Sequence, residues 1–555
     1  MRITRYPGLT LLVSLGALVG AAGCIGTIGG DGPSEQSDGT GESAQALCEA
    51  GVPDAGRSGL RRLNAHEYRR ALELALPVVE DFELPSLPAD ETTGAYDNNA
   101  TTAVGELDVE RYEAVAEALA TQLGPELEEL LPCEVEPEDE GACARAFLTD
   151  LSTKLFRRPP SDEQLAALMG VWERGSEDAT FGDGLLLAVR ALLQAPAFLY
   201  HIEEGTQTVD NNVAVARLDA HTLAARLAFA LWQTGPDDEL LEAAEDRSLL
   251  EPEVLEAQAE RMLEGERGAE ALAHFAAQWL GYEELDGAPK NGEMFPDYGP
   301  ELVRDMRDEM DALVEHVVLD GDGRLATLLT TREAFVTSRL AEVYDLDEQE
   351  GWVELPEDRA GVLTRAAFLA AHAHPSQTSP VLRGIEVRKQ LLCQPPPPPP
   401  PDVDDTAPPV DPDLTTRERF AQHTESASCA GCHALIDPIG FGFESYDAIG
   451  RFRTMDGKHE VDARGELVQT DVDGEFEGAV ELSSKLASSR QVQDCVAAQW
   501  FTYAIGRAPS QADACSLEGV QSRFAASDGD LRELIIGLVT SDAFRHYRIE
   551  TGEEQ

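Results

Sequence analysis

From about Leu60 onward, apolar residues recur at every third or fourth position, the period of a helix with one buried face. Leu302, Val303, Met306, Met310, Leu313, Val314 and Val317 share one face of a predicted helix, and Leu223, Leu227, Ala230 and Leu231 share another. Long stretches alternating apolar with polar residues do not occur. The exception is Lys458 to Phe476, where Gly465 and Asp473-Gly474 separate short segments and predict a hairpin. The pattern therefore predicts a mainly α chain of several helical modules with a short β-hairpin.

The helical pattern repeats weakly. Gly182-Asp183-Gly184-Leu185 leads into Val189, Leu192, Leu193 and Ala197-Phe198; Gly529-Asp530-Leu531 leads into Ile535, Leu538, Val539 and Ala543-Phe544. Each copy comes after a helix that starts near a cysteine, Cys143 or Cys495, and closes on Arg-x-Pro at Arg157–Pro159 or Arg507–Pro509. Two related helical hairpins are expected on either side of the chain's middle, each stapled by its own disulfide.

Two segments break the pattern. Arg2 and Arg5, the apolar run Leu9 to Val19 and the small residues Ala21, Ala22 and Gly23 before Cys24 read as an export signal with a lipobox-like end, Cys24 being the residue to be acylated. After it, a Gly-, Ser-, Asp- and Thr-rich tract lacks the apolar surface to fold and reads as a tether. The second break is Pro395 to Pro401, seven consecutive prolines succeeded by the acidic stretch to Asp413. It predicts a stiff spacer of about 3.1 Å per residue between the helical body and the segment from residue 414 onward. The expected order is signal 1–23, tether 24–57, N-terminal helical module 58–131, helical hairpin module 132–205, central helical module 206–350, a helical segment 351–394, linker 395–413, a small module 414–476 and a C-terminal helical module 477–555.

Charge removes some functions. With 103 acidic residues against 43 basic ones the formal charge is −60, which disfavours nucleic acid and anionic headgroups, both bound through Lys/Arg clusters. No later stretch is apolar enough to span a bilayer, so the expected membrane contact is the lipid on Cys24. Nine cysteines, less Cys24 and the pair Cys429/Cys432, leave six, an even number suited to disulfides in an oxidising compartment. Proximity pairs Cys133 with Cys143 and Cys495 with Cys515, leaving Cys48 for Cys393.

The chemistry concentrates at Cys429-Ala430-Gly431-Cys432-His433. This C-x-x-C-H spacing lets two thiols form thioethers to haem while the next imidazole reaches the iron. A zinc site would want two further Cys or His ligands, and a redox dithiol would want a βαβ context that the pattern lacks. The second axial ligand is open among His423, Met455, His459, His372 and His374, and an open iron position is a further alternative. Downstream, Asp437 to Glu444 reads as a turn. Phe441, Phe443, Tyr446 and Phe452 are candidates to cover a porphyrin, and Arg451 and Arg453 to pair with its propionates, with ion pairs to Glu444 or Asp447 as the alternative.

At these residues the chain resembles a known family. CAGCHALIDPIGFGFESYDAIGRFRT is similar to the cytochrome-like module of large planctomycete and myxobacterial multi-module proteins catalogued as domains of unknown function. RLAFALWQTGPDDELLEAA and FAAQWLGYEEL resemble its central module, and LRRLNAHEYRRAL its N-terminal module. CARAFLTDLSTKLFRRP and LRELIIGLVTSDAFRHY resemble two more. The resemblance covers about residues 58 to 550 and implies a c-type-cytochrome-like module at 414–476 in a cell-envelope protein. The family motif commonly carries Met three residues after the haem histidine; this chain has Ile436 there, which removes that ligand.

The expectation is an exported c-type haem protein with one covalent haem, anchored by lipid at the outer membrane or facing the periplasm. It would transfer electrons in the envelope to a redox partner protein. Its competitors are an envelope scaffold or polymer-binding lipoprotein and a haem enzyme such as a peroxidase or dehydrogenase; no Ser/His/Asp triad or phosphate-cradling loop points elsewhere.

Overall fold

Helix starts are set by side chains that satisfy the first unbonded backbone N–H groups. Asn64 caps the helix Ala65–Ala75: its Oδ1 accepts the Glu67 N–H at 2.6 Å, while the Glu67 carboxylate accepts the Asn64 N–H at 3.0 Å. Ser161 and Thr180 make the same reciprocal cap for Asp162–Ser176 and Phe181–Leu192. The apolar face read along 302–314 is buried in the helix Pro300–Glu315, and Val317 continues it in the wider turn His316–Asp320. Ala220–Trp232 buries more than one stripe: Ala224, Leu227, Ala228, Phe229, Ala230 and Leu231 are all covered, as befits a helix at the centre of the body.

The computed structural model describes Cys48 and residues 53–549, apart from 100–104, 136–137, 211–212, 348, 399–405, 412 and 422–426. The predicted signal, Cys24, most of the tether and part of the proline run lie outside the described residues. Helices dominate what is described, with only short strand pairs and one three-stranded sheet, so the chain is mainly α with small hairpins. No helix among the described residues is long and apolar enough to cross a membrane.

The repeat has a structural counterpart. Glu140–Phe156, Asp162–Ser176, Phe181–Leu192, the short helix Pro196–Leu199 and the strand Tyr200–His201 match, in order, Arg490–Ile505, Ala514–Ala526, Leu531–Thr540, Asp542–Arg545 and His546–Arg548. Each copy ends in a strand that pairs with another module. Tyr200–His201 runs antiparallel to Arg61–Arg62, and His546–Arg548 to the strand Val213–Leu218, which also pairs with Gly205–Asp210. The first copy and the N-terminal module share one apolar core, completed by Phe229; the second copy shares a larger core with the central helices and the segment around 439–476.

Three expectations change. The hairpin of 458–476 is two hairpins, Met455–Asp456 with His459–Glu460 and Arg464–Leu467 with Gly474–Glu477. Gly465 lies inside a strand because the backbone passes close to Pro438: a Cβ there would sit 2.2 Å from the Pro438 carbonyl oxygen. The proline-rich linker does not hold the helical body away from the segment after it. Pro380–Glu386, before the linker, packs directly on Ala427–Phe441, after it, and Gln377 Nε2 donates to the Pro408 carbonyl at 2.8 Å.

The disulfides are Cys133–Cys143, as proximity predicts, and then Cys393–Cys495 and Cys48–Cys515, which replace the predicted Cys495–Cys515 and Cys48–Cys393. Cys495 and Cys515 lie on successive helices and each meets a partner distant in sequence, so the second hairpin is tied to its surroundings rather than stapled within itself. Non-reducing peptide mapping is expected to recover these three links. Replacing Cys393 and Cys495 together by Ser, which opens a link across 102 residues, should cost about 2–5 kcal/mol in a urea melt; an unchanged midpoint would contradict the pairing.

Candidate haem-attachment site

The helix Ala427–Phe441 carries Cys429, Cys432 and His433 at relative positions 0, 3 and 4, which place all three on one face within little more than a turn. The segment read as a turn from Asp437 is helical to Phe441, and the turn begins at Gly442. Pro438 lacks an N–H and would ordinarily end a helix here. Tertiary packing overrides it: Ile436 and Ile439 are buried, and the helix lies backbone to backbone on Pro380–Glu386. A Cβ at Gly384 would stand 2.2 Å from the Ile436 carbonyl oxygen, and one at Gly440 would stand 1.8 Å from that of Pro380, so both contact positions require glycine.

Buried guanidinium groups fix the end of this helix. Arg383, fully buried, donates from Nη1 to the carbonyls of Phe443 (3.1 Å) and Tyr446 (3.3 Å) and from Nη2 to those of Leu369 (2.9 Å) and Asp447 (2.9 Å). Burial lowers its pKa to about 10, so it stays charged at neutral pH. Arg388 donates to the Leu435 carbonyl at 3.0 Å and to that of Val468 at 2.7 Å, linking the site helix to the hairpin beneath it. Glu444, also buried, accepts from Thr378 Oγ1 at 2.9 Å and from Arg453 Nη2 at 2.8 Å; desolvation nevertheless raises its pKa.

At the other end of the helix Cys429 and Cys432 are half-buried thiols, outside the three disulfides. Next to them, His433 Nδ1–H donates to Asp437 Oδ1 at 2.9 Å. The Asp437 hydrogen bond also raises the imidazole pKa. With Nδ1 committed as donor, Nε2 carries the lone pair, the atom an axial ligand offers to iron. Two thiols and an oriented imidazole on one helical turn fit covalent haem. The same donors offer zinc one ligand fewer than a structural site needs, and among the described residues no group of three Cys, His, Asp or Glu side chains could hold a metal.

The other candidates scatter. Phe443 packs on Phe368 with centroids 5.9 Å apart, and Tyr446 packs on Phe452 and beneath Arg359. Phe441 lies under the Arg417 guanidinium. These aromatic rings are thus engaged in protein packing. Arg453 is held by Glu444 and Asp456, and Arg451 reaches Asp297 at 3.1 Å while remaining one-third exposed. His372 donates from Nδ1 to the Phe368 carbonyl at 2.9 Å and turns Nε2 toward Glu386. His459 Nε2 meets the Asp413 carbonyl at 3.0 Å, His374 is half-buried, and Met455 stands on the exposed edge of its hairpin. His423 lies outside the described residues. The partner of His433 that the sequence pattern hides is Asp437: its i+4 spacing is a signal, but Asp-Pro reads more simply as the start of a turn.

Successive segments match five families, each described as Protein of unknown function: DUF1587 over residues 61–124, DUF1595 over 143–203, DUF1592 over 218–346, DUF1588 over 359–456 and DUF1585 over 473–544. The chain is therefore a multi-module protein in which these five domains of unknown function follow one another. The fourth match begins before Arg383 and ends after Arg453, so the supporting helix, the proline-rich segment and the C-x-x-C-H helix belong to one module. No curated protein and no solved structure matches the chain.

The support of the site helix is directly testable. Arg383→Lys retains the charge but not the planar fork that serves four carbonyls, and is expected to cost about 3–5 kcal/mol in a denaturant melt. A loss below about 1 kcal/mol would show that the four contacts do not anchor the turn.

Proposed function

We propose that this chain is an exported c-type haem protein of the cell envelope that transfers electrons, with one haem held by thioethers to Cys429 and Cys432 and His433 as axial ligand. The observation that carries the reading is the His433–Asp437 hydrogen bond, which leaves Nε2 as the coordinating atom one residue beyond two thiols on the same helical face. Haem supplies reversible one-electron chemistry when bound. The protein's part is to hold the imidazole rigidly: Ile436 and Ile439 lock the helix on its support, Arg383 fixes the turn after it, and Arg388 ties it to the hairpin beneath. Arg451, partly exposed on an exposed Asp297, is the arginine able to turn to a propionate; Arg453 is retained by buried Glu444. A second ligand to the iron would come from His423, from Met455 or from outside the chain. Attachment to the outer membrane or the periplasmic side of the envelope would come from acylated Cys24, and the redox partner would be another protein rather than a nucleic acid, which the charge of −60 repels.

Expressed in a host that matures c-type haem, the chain should carry one haem by intact mass and pyridine haemochrome. Cys429→Ala with Cys432→Ala should abolish haem that survives denaturing electrophoresis, because non-covalent haem leaves with the fold. Protein lacking that mass in such a host would sink the reading in favour of an envelope scaffold. Cys24→Ala should move the protein from the membrane to the soluble fraction, and unchanged membrane retention would exclude the lipid anchor.

A further inference from the structure

Covalent attachment needs two thiols and axial ligation needs one imidazole, yet the site contains another buried polar group that neither requires. Asp437 lies one turn beyond His433, its side chain is only 4% exposed, and its Oδ1 accepts the imidazole Nδ1–H at 2.9 Å. Its second oxygen, Oδ2, is buried with no hydrogen-bond partner among the described residues. A buried carboxylate oxygen that no protein donor meets is costly, since burial removes hydration that the protein does not replace.

Some buried acids are better served. Glu67 meets His201, Arg61 and the Asn64 N–H, and Asp513 meets both terminal nitrogens of Arg507 and the Ser510 hydroxyl. Asp437 instead sits against the imidazole with no ion pair to a guanidinium among the described residues, so its negative charge acts chiefly on His433. The Pro438 ring, the buried Ile436 and Ile439 on either side, and the docked helix Pro380–Glu386 keep it in place.

We propose that Asp437 is a positioning residue that makes His433 a strongly electron-donating axial ligand and thereby sets the haem at a low reduction potential. The inference rests on the proposed haem assignment. A carboxylate that accepts the Nδ1 proton draws it toward itself and raises the electron density at Nε2, which makes the imidazole a stronger base toward iron. Stronger donation favours the ferric over the ferrous state, and burial amplifies the effect because little solvent screens the carboxylate. A neutral backbone carbonyl in the same place would fix the ring equally well but donate less. The charge, rather than the acceptor alone, is what Asp437 adds.

Asp437→Asn keeps the size and an acceptor oxygen while removing the charge, so spectroelectrochemical titration of the haem-loaded variant should give a potential above that of the unaltered protein. Asp437→Glu, which keeps the charge, should fall closer to the unaltered value. The pyridine haemochrome and the gel-stable haem should be the same in all three. Haem-loaded Asp437→Asn at an unchanged potential overturns the proposal and leaves the haem assignment standing. Unaltered protein without attached haem overturns the assignment itself and the proposal with it. Should Asp437→Asn not accumulate, the diamagnetic ferrous form of the unaltered protein serves, with carbon monoxide added only where no side chain fills the second position. Its His433 Nδ1 proton is expected far downfield and slow to exchange with deuterium, and a rapidly exchanging proton overturns the proposal.

Discussion

The candidate site depends on one buried cation. Arg383 reaches from the supporting helix into the turn after the site helix and donates to four carbonyls on two separate segments. Three of those carbonyls lie in the turn after the site helix, where Phe443 and Asp447 also accept the Tyr446 and Gly450 N–H groups, so the guanidinium adds a second bond to each and ties the turn to Leu369. A guanidinium is the side chain suited to this work: five donors in a plane, charged even when burial has lowered its pKa to about 10. Its position explains why the helices lie so close. The carbonyls that Arg383 serves are within reach only because Gly384 and Gly440 let the two backbones approach without intervening side chains.

The same device recurs elsewhere in the body. Arg157 donates to the carbonyls of Ala197 and Tyr200 at the end of the first helical hairpin, and it too is buried with a pKa lowered to about 10. Arg359 bridges the carbonyls of Thr364 and Gly450, and Arg365 those of Thr331 and Glu333. An acidic chain with only 43 basic residues thus places several of its arginines inside, against backbone oxygens, and leaves its carboxylates mostly outside. Surface acidity and internal basicity are two sides of one arrangement: the carboxylates stay in contact with solvent, while the arginines tie together segments distant in sequence through their backbone carbonyls.

How far the sequence reveals this depends on the range of the interaction. Helices are legible because their signals lie within four residues, as the face Leu302 to Val314 and the caps at Asn64 and Ser161 show. The C-x-x-C-H motif is legible for the same reason. The two long-range disulfides are not, because pairing by proximity carries no information about chains that meet after 102 or 467 residues. Phe443 reads equally well as a porphyrin cover and as a core residue; only Phe368, far earlier in the chain, decides. Asp437 is the instructive miss. Its local signal is sound, but Asp-Pro is also a turn signal, and the packing of Ile436 and Ile439 that keeps the helix going is visible only when the supporting helix is in place.

The site helix divides its tasks along its length. Its first part, with Cys429, Cys432 and the exposed Gly431 and Ala434, is only half-covered. From Ile436 onward the helix is enclosed by the supporting helix and the strand Arg464–Leu467. His433 stands at the boundary with its Nδ1 tied to the enclosed part through Asp437, so the reacting end is accessible while its imidazole takes its orientation from the core. An imidazole held across that boundary keeps its orientation while the residues around it stay partly exposed.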